Sequence, residues 1–313
     1  VLEISLDTLR DGFAQMGYVI KEEALSVVYL ALKLEKPLLV CGAAGVGKTE
    51  LAKALSGILK ARLIRLQCHE GLDESKAIYD WNIQRQLVRI HLAGKNRRED
   101  TEDLFSLPYI LQRPLLQAIT QEGQVLLLID EIDRADRSFE ALLLEILSDF
   151  QVSIPEIGTI KAAHRPVVVI TSNGERELSE AIRRRCVFLY LDYPDIKEEA
   201  AILRLRASEV IDALDENIAL AVAQAREQGY RLGTGSSAAL DWARAVFILN
   251  ADRYQKDYVA GTLDALARNK ENIVAHEAFL QGGGFIGHLA GKRSESRELR
   301  EYHEGGGNDN SGS

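Results

Sequence analysis

Cysteine is scarce in this 313-residue chain: Cys41, Cys68 and Cys186 are all it has. An odd number of widely spaced thiols builds neither a disulfide framework nor a zinc ribbon, so reduced, buried thiols in a cytoplasmic protein are expected. Long apolar runs are missing too. No stretch of 18 apolar residues occurs and no charged-then-apolar leader opens the sequence, which predicts a soluble, unsecreted protein without membrane insertion. Positive charge is in deficit, 38 Lys and Arg against 47 Asp and Glu, for a net −9 at pH 7. General nucleic-acid and anionic-membrane binders carry a basic excess, so the balance counts against both. None of the six histidines has a nucleophile or a metal-ligand pattern around it.

What is abundant is apolar residues, 46% of the chain, which supports one large domain and a smaller one. Five short runs are apolar on both faces: 37–41 (PLLVC), 63–66 (LIRL), 125–130 (VLLLID), 166–171 (PVVVIT) and 187–191 (VFLYL). Such runs suit strands of a parallel sheet covered by helices on each side. Helical patterns lie between them. Leu51, Ala52, Leu55, Ile58 and Leu59 fall on one helix face after the first run. Alternation of this kind predicts an α/β domain with a doubly wound parallel sheet over residues 1–195. From 196 to 280 the periodicity is helical, as in Leu240, Ala243, Val246 and Phe247, which predicts a small all-helical domain. Residues 281–313 begin with a glycine triplet and end in EGGGNDNSGS, the composition of a flexible tail.

Residues 42–49 read GAAGVGKT and fit G-x-x-x-x-G-K-T/S, directly after a predicted strand and before a predicted helix. That context is what the pattern requires of a phosphate loop. Gly42, Gly45 and Gly47 let the backbone curl so that its N–H groups, with those of Ala43, Ala44 and Val46, point inward at phosphate oxygens. The helix that starts near Lys48 and runs through Glu50 adds its N-terminal partial positive charge. Lys48 reaches the β- and γ-phosphates of ATP, and the Thr49 hydroxyl ligates Mg²⁺.

Residues 125–136 read VLLLIDEIDRAD, an acidic pair at the end of a buried strand, where open α/β sheets bind ligands. Asp130 is expected to hold Mg²⁺, directly or through its water. Glu131 is placed to accept a proton from the water that attacks the γ-phosphate, or to orient it. Asp133 and Asp136 read as a solvated acidic turn. Ser172-Asn173 follows the next strand and would lie beside the carboxylates if the two strands are neighbours. Asn173 then donates to the γ-phosphate or positions the water; otherwise it is a turn former. A small-molecule kinase shares the phosphate loop but does not predict Glu131, Asn173 and an arginine cluster together.

In this order and at these separations, GAAGVGKTE, LLLIDEIDRAD, ITSN and IRRRC resemble the AAA+ ATPases, and within them the MoxR family. The segments 150–162 and 178–195 look like that family's hairpin insert and its passage into the helical lid. Residues 63–82, 113–119 and 240–245 are similar to the branch that includes CoxD, a maturation ATPase of the molybdenum–copper carbon monoxide dehydrogenase. The resemblance covers roughly residues 15–275. It implies a P-loop AAA+ fold and a homo-oligomeric ring, commonly a hexamer, with ATP at each subunit boundary. Arg185, just before Cys186, matches the family's finger position and would reach the neighbour's γ-phosphate. Arg183 and Arg184 support it or solvate the helix end. Gly17-Tyr18-Val19 lies where relatives hold adenine. One departure stands out: Ala238 or Ala239 occupies the place of a nucleotide-contacting lid arginine, so Arg231 or Arg244 substitutes for it or the contact is absent.

Residues 68–81 follow the second strand, where AAA+ rings place loops facing the central pore. Tyr79 and Trp81 there suit either gripping a polypeptide or packing in a core. Cys68-His69 lacks partner ligands at metal spacing. The resemblance implies an ATP-driven chaperone that remodels a protein client, a metalloenzyme in maturation or cofactor insertion, with a von Willebrand factor A domain partner. The alternative is a nucleic-acid motor or clamp-loader-like ATPase, against which the −9 charge and the lack of a basic strip count.

Overall fold

All five apolar runs become strands, and together they form one sheet. The computed structural model describes residues 3–92, 104–195, 198, 201, 202 and 205. In chain order the elements are α1 (Leu6–Gln15), α2 (Glu22–Lys33), β1 (Leu38–Cys41), α3 (Lys48–Ile58), β2 (Arg62–Gln67), α4 (Glu74–Ala77), β3 (Tyr79–Trp81), α5 (Ile83–Leu92), β4 (Ile110–Gln112), α6 (Pro114–Thr120), β5 (Val125–Asp130), α7 (Arg137–Asp149), β6 (Gln151–Ile154), β7 (Gly158–Lys161), β8 (Val167–Ser172), α8 (Glu180–Arg185) and β9 (Val187–Tyr190). The sheet order is β2-β5-β8-β1-β9, and every pairing in it is parallel.

Because successive strand residues point to opposite faces, the inner strands β5, β8 and β1 feed two cores. The outer runs do not match the two-sided apolar expectation, since Arg65 and Gln67 of β2 and Phe188 and Tyr190 of β9 are exposed. Leu39, Ile64, Leu66, Leu127, Ile129, Val168 and Ile170 pack on one face with α6 and α7. Leu38, Val40, Leu126, Leu128, Val169 and Leu189 pack on the other with α1, α2 and α3. Every residue of β5 is buried, as a central strand covered on both sides must be.

Two antiparallel ribbons are added to this frame. The predicted hairpin is β6–β7, with Gln151 opposite Lys161, and it leaves α7 through Phe150, which ends the helix in a left-handed conformation (φ 49°). The second ribbon, β3–β4, pairs Tyr79 with Gln112 and Trp81 with Ile110. Tyr79 and Trp81 pack against the buried cluster, and Trp81 meets Phe105 edge-on at 5.3 Å. Of the two roles open to these aromatics, packing is the one they take in the structure.

Contacts divide the chain into Val1–Asp192 and Tyr193–Ser313. The second unit lies almost wholly outside the described residues. So do the helical region expected over 196–280, the tail expected over 281–313, and the lid positions Arg231, Ala238, Ala239 and Arg244. No described helix is long and apolar enough to cross a membrane.

Where the end of β1 turns into the phosphate loop, the backbone runs close to that of Leu191. A Cβ on Gly42 would stand 2.2 Å from the Leu191 carbonyl oxygen, at a φ of 156°. Gly42→Ala is therefore expected to lower the unfolding free energy by roughly 2 kcal/mol, the cost of forcing backbone apart in a packed site. A urea unfolding curve with an unchanged midpoint would contradict the contact.

Candidate active site

The phosphate loop is built by local geometry. Gly47 has φ 98°, a left-handed conformation that residues with a Cβ adopt at a cost, and it hands the chain directly to α3 at Lys48. Lys48 is only 6% exposed, and its ammonium donates to the carbonyls of Gly42 and Ala43, both at 2.7 Å. Burial holds it below its usual pKa even though Asp133 and Asp130 stand near enough to oppose the shift. An arriving polyanion restores what burial costs this cation. Tyr18, from the segment expected near adenine, lies beside the loop and donates to the Gly47 carbonyl at 3.4 Å.

The carboxylates stand at the end of β5. Asp130 is 2% exposed and collects donors from three elements. Thr49 Oγ1 on α3 lies 3.1 Å from its Oδ1, and Thr171 Oγ1 on β8 donates to the same oxygen at 2.5 Å. Arg65 on β2 donates to Oδ2 from Nε at 3.0 Å and from Nη2 at 2.5 Å. The adjacent Glu131 has φ 57° and ψ 51° and breaks the strand at once; its N–H donates to Thr171 Oγ1 at 2.9 Å. A non-glycine residue held there is a local strain of the kind that clusters at functional sites. The Glu131 carboxylate accepts from Gln67 Nε2 at 2.9 Å and Asn173 Nδ2 at 3.4 Å, and pairs with Arg134 at 3.0 Å.

β5 and β8 are neighbours, as the placement of Asn173 required. Lys48, Thr49, Asp130, Glu131 and Asn173 thus gather at one end of the sheet. A hydroxyl and a carboxylate 3.1 Å apart offer the oxygen ligands that Mg²⁺ takes, beside a glycine loop and a buried ammonium suited to phosphates. The donor set fits Mg²⁺ and ATP.

Arg185 stands elsewhere. It ends α8 just before β9, whose first residue, Val187, pairs with Leu38 at the start of β1. The phosphate loop leaves the other end of β1, so on the order of 10 Å of strand separates the two. Arg183 pairs with Glu177 at 3.2 Å and Arg184 with Glu180, while Arg185 is exposed and makes no ion pair among the described residues.

One sequence expectation is corrected. Asp133 is no solvated turn residue: it is 5% exposed, and its Oδ2 accepts from the N–H groups of Asn173 at 3.0 Å and Glu175 at 2.9 Å. It clamps the strand end that carries Asn173. Asp136 is exposed at the start of α7, as expected of it. Four further residues of the site and its support carry no signature of their own in the sequence. Arg65 and Gln67 look like solvated positions on an alternating strand. Glu140 looks like helix surface, yet it is 1% exposed, accepts from Ser179 N–H at 2.9 Å and pairs with Arg176 at 2.5 Å. Arg176 also donates to the Ala135 carbonyl at 2.8 Å, so α8 is fastened to the turn after Glu131. The one available signal was that 176 and 140 flank the two motifs. All three cysteines are free; Cys68 is buried while Cys41 and Cys186 are only partly so, and burial pushes the Cys68 and Cys186 thiols up to about 12. No cluster of three or more His, Cys, Asp or Glu side chains that could hold a metal ion occurs among the described residues.

Fold and site define a P-loop nucleotide-binding domain of the AAA+ class. Residues 37–186 match the AAA domain of the dynein-related subfamily, and this stretch is an AAA+ ATPase domain. The chain is 31% identical over 140 residues to chaperone protein ClpB 2 of Parasynechococcus marenigrum, covering 43% of this chain and 13% of that one. It is 29% identical over 170 residues to an uncharacterized protein of Staphylococcus epidermidis, 52% of this chain and 58% of the relative. Among solved structures, a mutant RuvB of Thermotoga maritima shares the fold, with a TM-score of 0.51 and 21% identity over 81% of this chain and 73% of that one. These relatives define the class without narrowing it to a branch.

Burial pushes the Glu140 carboxyl up, but hydrogen bonds from Ser179 and the Arg176 guanidinium outweigh it and hold the group below the usual value of 4.5. A carboxyl lowered by folding contributes stability that is complete above its unfolded pKa and is lost as pH falls through the folded one. Glu140→Gln should cost about 1–3 kcal/mol at pH 7. The gap to the native chain should then close as pH drops below 4.5, measured by denaturant unfolding across pH. A gap independent of pH would exclude an ionised Glu140.

Proposed function

We propose that the chain is a MoxR-type AAA+ chaperone that hydrolyses ATP to remodel a protein client, in the maturation of a metalloenzyme or the insertion of its cofactor. The observation that carries the chemistry is the convergence of Lys48, Thr49, Asp130, Glu131 and Asn173 at one end of the sheet. In this reading Lys48 exchanges the Gly42 and Ala43 carbonyls for the β- and γ-phosphates, and the N–H groups of residues 42–50 line the phosphate chain. Thr49 and Asp130 hold Mg²⁺, which supplies charge neutralisation to the phosphates when bound. Glu131 takes a proton from the attacking water as the water oxygen bonds to the γ-phosphorus. The bond to the bridging oxygen breaks, and its electron pair stays with ADP. Asn173, within reach of Glu131, positions that water.

The assembly in this reading is a closed homo-oligomeric ring, most simply a hexamer. Arg185 stands at the end of the sheet away from its own phosphate loop, exposed and without an ion pair among the described residues, which suits a group that serves a neighbouring subunit. The client class draws on the CoxD-like run 63–82 and on a chaperone among the relatives. A von Willebrand factor A domain protein is the partner it calls for, and the cytoplasm is the compartment.

Lys48→Ala and Arg185→Ala are each expected to be inactive alone, and mixing them should recover ATPase activity at the boundaries that join two intact halves. Mixed rings with no recovered activity would overturn the role in trans. Glu131→Gln should bind ATP without hydrolysing it. Purified from its own cell with ATP, that variant should carry a von Willebrand-type protein or a molybdenum hydroxylase. Recombination or polymerase components in its place would reassign the client to nucleic acid.

A further inference from the structure

Asp130 has a second cationic partner already built into the chain. Arg65 sits on β2, the outer strand of the sheet, two residues before Gln67, which pairs in register with Asp130. Its Nε and Nη2 both donate to Asp130 Oδ2, at 3.0 and 2.5 Å, while Oδ1 is taken by Thr171 and Thr49. An ionised carboxylate offers about four acceptor sites, and these donors occupy them. A divalent cation or its bound water can reach Asp130 only where a donor gives way.

The two partners differ in how freely they move. The Asp130 side chain is 3% exposed and fixed from three sides, whereas the Arg65 side chain is 49% exposed at the sheet edge. A half-solvated guanidinium on a flexible stem can be rehydrated; a buried carboxylate cannot. We propose that Arg65 is a resident counter-ion that competes with Mg²⁺ for Asp130 and thereby sets the Mg²⁺ concentration at which nucleotide binds. This rests on the reading of Asp130 as a metal-holding residue. The competition reaches the second carboxylate as well. Arg65 Nη2 donates to Gln67 Oε1 at 2.5 Å, and Gln67 Nε2 donates to Glu131 Oε2 at 2.9 Å. When the guanidinium leaves, the amide that restrains Glu131 loses the group that orients it.

The test is Mg²⁺-dependent binding of a fluorescent, non-hydrolysable ATP analogue to the full chain. Arg65→Gln should reach half-maximal binding at roughly two- to fivefold lower Mg²⁺ than the native chain, the factor expected for loss of one partly solvated ion pair. Arg65→Lys, which keeps the charge without the fork, should fall between them. Thermal unfolding gives a second readout: Arg65→Gln should melt lower than the native chain without Mg²⁺ and recover with Mg²⁺ and nucleotide. An unchanged or raised Mg²⁺ midpoint in Arg65→Gln overturns the proposal if Asp130→Asn has lost its Mg²⁺ response. Should Asp130→Asn respond to Mg²⁺ like the native chain, the metal reading of Asp130 itself fails, and the proposal with it. If circular dichroism shows Arg65→Gln to be unfolded, the direction of the Arg65→Lys shift decides.

Discussion

A single buried carboxylate organises this domain. Asp130 carries charge in a place with 2% exposure, which is tolerable only if it is surrounded by donors. Its donors come from α3 and β2, which follow one another in the chain, and from β8, about a hundred residues further on. Satisfying that one side chain therefore fixes which strands flank β5 and how α3 leaves the phosphate loop. The two apolar cores supply the driving force for packing the sheet, but they are indifferent to which polar group lies at its end. Asp130 is not.

A second set of buried polar groups carries the constraint outward. Asp133 holds the backbone of Asn173 and Glu175, Arg176 reaches back to the carbonyl of Ala135, and Glu140 joins Arg176 to the first residue of the α8 cap. The chain of contacts runs from the turn after Glu131 to the helix that carries the three arginines. Truncating any one of these groups leaves a buried partner unsatisfied, which is why such networks act as units.

Much of this was legible in the sequence because parallel sheets write themselves as continuous apolar runs. The five runs became the five strands within a residue or two, and GAAGVGKT and the acidic pair fell at strand ends as their patterns demand. What stayed hidden was the identity of polar partners. Arg65 and Gln67 alternate with Ile64 and Leu66, so periodicity alone files them as solvent-facing; only the register against β5 brings them to Asp130 and Glu131. Asp133 has the spelling of a surface turn, and its burial depends on β8 arriving beside it. Glu140 and Arg176 are 36 positions apart, and no local pattern links two charges at that distance. The β3–β4 ribbon was missed for a related reason, since three-residue strands leave no period to read.

The sheet order also governs when the site can come into being. Among the described strands β1 comes first in the chain, and its neighbours β8 and β9 come last. Until residues 167–190 exist, β1 has nothing to pair with, and the loop it launches has no fixed end. The carboxylate strand, β5, likewise waits for β8 on one side. A nascent chain halted short of β8 therefore exposes an apolar strand and carries no phosphate cradle, however complete its glycine motif. Non-local pairing of this kind makes folding slow and leaves strands open to wrong partners while it lasts. Nucleotide binding in this domain is thus a property of the whole sheet and arrives late.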